Sequence, residues 1–155
     1  MDRRCRGFTL LELMVVIVLI GVLAGMVRFA TGTSPTREAR QQALDFVGVV
    51  QQLRERAVLE GQEYGVRVQL DGYQALRLEA RGWTAVSAWR RLPEGLMLGL
   101  EQDGHVLRLD DVPGPPQLLL LSSDEISPFR LRIKMAGQAV SSVSSDGLAQ
   151  LRIDE

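Results

Sequence analysis

Arg6-Gly7-Phe8-Thr9-Leu10-Leu11-Glu12-Leu13-Met14-Val15-Val16-Ile17-Val18-Leu19-Ile20-Gly21-Val22-Leu23-Ala24-Gly25-Met26-Val27 is the stretch on which the rest of the chain depends. Residues 8–27 carry a single charge, Glu12. At about 1.5 Å of rise per residue, a helix of that length reaches about 30 Å, the thickness of a bilayer's hydrocarbon core. Arg3, Arg4 and Arg6 precede the run, and only Arg28 stands immediately after it. The positive-inside rule therefore puts residues 1–7 in the cytoplasm and the bulk of the chain across the membrane, in the periplasm. A secretory signal peptide is the rival reading, but its apolar region is shorter and ends in an A-x-A-like site. Ala24-Gly25-Met26 fits such a site poorly.

Arg6-Gly7-Phe8-Thr9-Leu10-Leu11-Glu12, followed at once by an uncharged helix, resembles the class III signal of type IV pilins and type II secretion pseudopilins. The resemblance implies that a prepilin peptidase cuts between Gly7 and Phe8 and methylates the new amine of Phe8. A carboxylate at the centre of a membrane helix costs about 2.5–3.5 kcal/mol. Glu12 sits one turn from the mature terminus, near the headgroups and the positive end of the helix dipole, where the cost is small. That explains why Glu12 is tolerated. The resemblance supplies a role: pairing with the amine of Phe8, its own or a neighbour's, to align an entering subunit with the filament. Retention of Glu12 argues against the K-type tip subunit, which in this family often lacks it.

The residues beyond the span suffice for one domain with a modest core and not for two. Loss of the leader, with its three arginines and Asp2, takes the net charge from −1 to −3. No global basic field for nucleic acid results. The single cysteine, Cys5, lies in the leader, so the mature chain has no disulfide, unlike many major type IV pilins that close a C-terminal loop with a cysteine pair. Catalysis finds little support: His105 is the only histidine, no phosphate loop, dinucleotide fingerprint or nucleophile elbow is present, and no cofactor or metal is expected. The acidic pairs Asp110-Asp111 and Asp124-Glu125 invite Ca²⁺ weakly and read as solvated loop residues. Val112-Pro113-Gly114-Pro115-Pro116 reads as a rigid connector.

Along the chain, Thr31-Gly32-Thr33-Ser34-Pro35 interrupts the helical pattern, so residues 29–35 are expected to form a kink or linker, with Thr36 capping a second helix. Ala39, Ala43, Phe46 with Val47, Val50, Leu53 and Ala57 recur at three and four residues, the stripe of a helix running to about Glu60 and stopped by Gly61. Strands follow. Val66, Val68 and Leu70 alternate with Arg67 and Gln69, Asp71-Gly72 is the expected turn, and Leu76 and Leu78 resume around Arg77. Residues 83–89 continue in short extended pieces, and Pro93-Glu94-Gly95 turns the chain. Residues 96–100 are expected to pair with 105–109 across Gln102-Asp103-Gly104, and 118–121 to form a buried strand. Leu131 and Ile133 alternate with Arg130, Arg132 and Lys134, and a closing hairpin turns at Ser145-Asp146-Gly147 into a strand over 148–153.

The segment 73–96, with its tryptophans, its basic pair Arg90-Arg91 and its Pro93-Glu94-Gly95 turn, is similar to the globular domain of H-type minor pseudopilins, the GspH/FimT family. So are the serine, acidic and Ser127-Pro128-Phe129 segment over 121–131 and the closing Ser-Asp-Gly turn. The expected fold is α+β and pilin-like. A long N-terminal helix, half transmembrane and half periplasmic, packs on small antiparallel β-sheets. The expected divisions are a leader over 1–7, a transmembrane and filament-core helix over 8–28, the linker over 29–35 and a periplasmic domain over 36–155. The resemblance implies a structural subunit of the type II secretion pseudopilus that drives export of folded proteins across the outer membrane. It also implies the partners: the I-, J- and K-type minor pseudopilins, the major pseudopilin, the prepilin peptidase and the inner-membrane assembly platform with its cytoplasmic ATPase. Arg130, Arg132 and Lys134 form the best local basic row. Its bland reading is an edge strand kept from aggregating by charge. Its functional alternative is DNA binding during uptake, as in FimT-like minor pilins.

Overall fold

The structure, a computed structural model, describes residues 10–30, 35–109, 114–148 and 150–154, with the backbone alone for 23–30 and Pro35. Gly7, Phe8, residues 31–34 of the expected linker, Asp110, Asp111 and part of the proline loop lie outside the described residues. The chain divides into two units, residues 1–34 and 35–155.

In the first unit, α1 (Leu10–Ala30) is a helix of 21 residues with Glu12 in its first turn. Leucine, valine, isoleucine and methionine surround it, and its large apolar side chains over 10–22 are exposed, Leu10 at 79% and Ile20 at 60%. A helix that is apolar all round needs lipid or protein to cover it. Among the described residues no helix is long and apolar enough to cross a membrane; the expected span, 8–28, extends past the side chains that are described.

The second unit begins with α2 (Pro35–Glu60). Proline is well suited to the first helical position, where its missing N–H is not needed. The helix therefore starts at Pro35, and Thr36 lies within the first turn instead of capping it. At the other end Gly61 takes φ +63°, and the Gln62 amide donates to the Ala57 carbonyl at 3.2 Å, the closing bond of a left-handed helix stop. All of the expected stripe is buried or half-buried, from Ala39 to Ala57.

Ten strands form two antiparallel sheets of five among the described residues. In the first sheet β3 (Gly82–Ala85), β2 (Gly72–Glu79), β1 (Tyr64–Gln69) and β7 (Leu118–Leu120) lie in that order, and β4 (Arg90–Arg91) also pairs with β2. In the second the order is β10 (Arg152–Asp154), β9 (Gln138–Ser145), β8 (Phe129–Met135), β5 (Leu96–Gln102), β6 (His105–Val106). The first hairpin pairs Gln69 with Gly72, so Leu70-Asp71 make the turn and Gly72 belongs to the strand. Gly72 is required there by crowding: a Cβ would lie 2.3 Å from the Arg90 carbonyl oxygen. The second expected pairing is real but shorter. Gln102 pairs with His105 across Asp103-Gly104, and regular pairing ends at Val106. The closing strand is likewise only β10, joined to β9 by residues 146–151 and not by a tight turn. The strand leading into the expected closing turn is β9, and its start at Gln138 is not marked in the sequence, because its inward positions are Ser141, Val143 and Ser145 and so show no apolar alternation.

The core lies where α2 packs on β1, β7, β8 and β9. Tyr64, Val66, Val68, Tyr73 and Ala75 face it from the first sheet and Leu98, Leu100, Phe129, Leu131, Ile133 and Val143 from the second. Phe46 joins the two. Its ring meets Tyr73 edge-on at 5.0 Å and Phe129 at 6.1 Å. The side of the first sheet beyond β7 is closed by the chain itself. The Leu119 amide donates to the Ser127 hydroxyl, the Ser127 amide to the Leu119 carbonyl, and the Gln117 carboxamide bonds both the amide and the carbonyl of Val68.

Candidate functional site

Two surfaces carry the residues singled out in the sequence. The first is α1. Glu12 is the one charge of α1 before Arg28 and stands in its first turn, where the unsatisfied backbone N–H groups and the dipole favour negative charge. An apolar helix with one acidic group at its N-terminal end can enter lipid or a bundle of like helices.

The second is the outer face of the second sheet. Strand alternation sends Phe129, Leu131 and Ile133 into the core and Arg130, Arg132 and Lys134 outward. β8 is the central strand, between β9 and β5, so the row is not an edge device. Register places Arg130 between Glu101 and Ser144, and Arg132 between Gly99 and Ser142. Arg132 Nη2 reaches Glu101 Oε2 at 2.7 Å. The Lys134 stem lies over Gly99, where a Cβ would come within 3.0 Å of its Cε and Nζ. The row is thus partly matched by acid on its own sheet.

The other acidic and imidazole candidates resolve separately. Asp124, at φ +72°, accepts from Arg54 Nε at 2.6 Å and from Nη2 at 3.0 Å, and the same Nη2 bonds the Asp124 carbonyl at 2.9 Å. Nη2 also approaches the Leu148 carbonyl at 3.4 Å. One guanidinium therefore holds the β7–β8 and β9–β10 connections onto α2. Arg54 and Asp124 lie 70 residues apart, a separation that no local pattern in the sequence bridges. Glu125 is exposed, and no cluster of metal ligands occurs among the described residues. His105 is exposed beside its turn, with Nδ1 2.9 Å from the Asp103 carbonyl oxygen.

The prokaryotic N-terminal methylation motif matches residues 2–27, the segment that contains Gly7, Phe8 and Glu12. Over 98% of its length the chain is 42% identical to the type II secretion system protein H of Pseudomonas aeruginosa, covering 97% of that protein. The chain belongs to the type II secretion system protein H family. A second member, from Aeromonas hydrophila, is 30% identical over 97% of the chain and 93% of its own length. The crystal structure of the minor pseudopilin EpsH from the type II secretion system of Vibrio cholerae superposes with a TM-score of 0.68 at 32% identity, over 77% of this chain and 95% of that one. As an H-family protein the chain is a minor pseudopilin, and the α+β pseudopilin fold expected from the sequence is the fold observed.

Proposed function

We propose that this H-family minor pseudopilin is cut between Gly7 and Phe8 and methylated on Phe8, that residues 8–28 first anchor it in the inner membrane and then pack into the pseudopilus core, and that 36–155 form its periplasmic domain. The observation that carries the reading is α1, exposed and apolar on all sides over residues 10–22 with one carboxylate in its first turn. In the membrane the helix is covered by lipid. In a filament it is covered by neighbouring helices, and Glu12 meets the Phe8 amine that cleavage creates. The subunit works by packing and does no chemistry of its own. The energy for assembly enters through the platform and its ATPase, and the I-, J- and K-type minor pseudopilins and the major pseudopilin are its neighbours. The growing filament then pushes folded proteins toward the outer membrane.

Intact mass of the membrane-extracted protein, from cells with and without prepilin peptidase, tests this reading. A chain starting at Phe8 with one added methyl group is expected only when the peptidase is present. An uncut chain in both, or one cut after the apolar run, refutes it. Glu12→Ala is expected to leave cleavage intact and to remove the subunit from sheared filaments.

DNA binding by Arg130, Arg132 and Lys134 is the weaker reading, since Glu101 already neutralises Arg132 at the centre of the row. A band shift of duplex DNA that weakens steeply with salt and vanishes on reversing Arg130 and Arg132 would establish it over the secretion role.

A further inference from the structure

We propose that the cleft between α2 and the β2–β4 side of the first sheet receives an acidic side chain, with its apolar neighbour, from another protein of the assembly; this rests on the reading of the chain as a filament subunit. The cleft holds about 190 Å³. That is below the roughly 300–1,000 Å³ of small-molecule sites and matches an inserted side chain. Its floor is aliphatic, from Val49 and Leu53 of α2 with Ala75 and Val86 of the sheet. Arg56 and Arg90 are the charged residues that line it, and no acid lines it.

The two cations are set in place by the fold. Arg90 and Arg91 are consecutive on β4, so their side chains leave on opposite faces. Arg91 Nε turns to Asp71 at 3.2 Å, whereas Arg90 pairs with Tyr73 in register and faces the cleft beside the Tyr73 phenol. Tyr73 is fixed from below by Phe46. Arg56 lies with its guanidinium carbon 5.0 Å above the Tyr64 ring and with Nε on Glu60 at 3.0 Å, leaving its other nitrogens for an incoming acceptor. Ser87 is spent locally, accepting from the Ala75 amide and donating to the Ala88 carbonyl. Asp71 is held by Arg91 and Glu60 by Arg56, and Asp45, whose charge acts on the Tyr73 phenol, accepts from Gln41 at 2.9 Å, so the carboxylate to meet Arg90 comes from outside the chain. A planar guanidinium beside an aliphatic floor favours a carboxylate held by two parallel bonds next to a leucine-like neighbour.

The test uses the full chain in secreting cells, with the photo-crosslinking residue benzoylphenylalanine in place of exposed Ala88. The expected result is capture of another pseudopilus protein through a peptide containing Asp or Glu. Arg90→Glu should cut the yield about tenfold or more, as removal of one member of a desolvated charge pair does. Reversing the captured acid to Arg should then restore it. Arg90→Gln, which keeps size and hydrogen bonding without charge, replaces Arg90→Glu should the latter misfold. Capture unaffected by either variant, capture of a peptide without acid, capture of a second copy of this chain, or no capture overturns the proposal. The mass of the mature chain in the same cells separates the two readings: normal processing without a charge-dependent crosslink sinks the cleft alone, and an uncut chain sinks the filament role.

Discussion

Replacing Phe46 tests whether one side chain joins the two sheets. Phe46 is 1% exposed and sits between Tyr73 on β2 and Phe129 on β8, with ring planes at 84° and 77° to its own. Truncation to alanine removes the ring from a site framed by the backbone of α2 and by two other rings, so little collapse is available. Such a change costs about 3–5 kcal/mol, and each edge contact accounts for about 0.5–1.5 kcal/mol of it. Leucine refills much of the volume but makes neither edge contact, and its cost is about 1–3 kcal/mol. At about 2–8 °C per kcal/mol for domains around this size, alanine lowers the melting midpoint by at least about 6 °C and leucine by roughly half as much. The assay is a thermal melt of the full chain in mild detergent, followed by near-ultraviolet circular dichroism, with hydrogen exchange in parallel. Exchange should rise in β2 and in β8 together. An alanine penalty below about 1 kcal/mol, an equal penalty for leucine, or loosening confined to one sheet would refute the shared core.

Arg54→Ala removes a donor from the Asp124 carboxylate and from two loop carbonyls, and should cost about 1–2 kcal/mol while opening residues 121–128 and 146–148 to protease. Asp124→Asn, in a side chain 59% exposed, should cost less than about 1 kcal/mol on the same assay. Gly65→Ala would place a Cβ 2.4 Å from the Pro116 ring, so it should displace the loop around Pro116 and destabilise by about 1–3 kcal/mol in a urea titration. Alkali gives a signed expectation. Burial pushes the Tyr73 phenol above 10.0, with Arg90 opposing it and Asp45 assisting, and burial followed by the Glu60 hydrogen bond raises Tyr64 in the same way. The unfolded chain then loses these protons first. Their contribution is complete below pH 10 and declines as pH rises above it, which a pH series of melts monitored by tyrosinate absorbance will register.

Much of this was legible in the sequence because it is written in apolar spacing. The α2 stripe, the alternation at Val66 and Val68 and that at Leu131 and Ile133 each name a buried face directly, and Glu12 stands out against an uncharged run. Where inward residues are small and polar, spacing is silent. Ser141 and Ser145 point into the core from β9, the Ser145 hydroxyl accepting the Gly147 amide at 3.1 Å, so the extent of the strand before the expected turn could not be seen. Charges on the candidate surface were visible as residues but not as pairs. Arg132 with Glu101, Arg91 with Asp71 and Arg54 with Asp124 depend on register and loop return, which no local pattern encodes. The cleft at Arg90 was hidden for the same reason, since only pairing with Tyr73 shows which member of the basic pair faces it.

The closure of β7 by Ser127 and Gln117 bears on polymerisation itself. A sheet that ends in open amides and carbonyls invites any other extended chain to add to it, and subunits held side by side in a fibre would be well placed to do so. Here those groups at Leu119 and Val68 are already occupied from within the chain. Growth by stacking strand on strand, the irreversible route to amyloid, is closed on this side. Association through the helix proposed for the filament core is non-covalent packing of side chains and so, unlike a cross-strand ladder, can be undone.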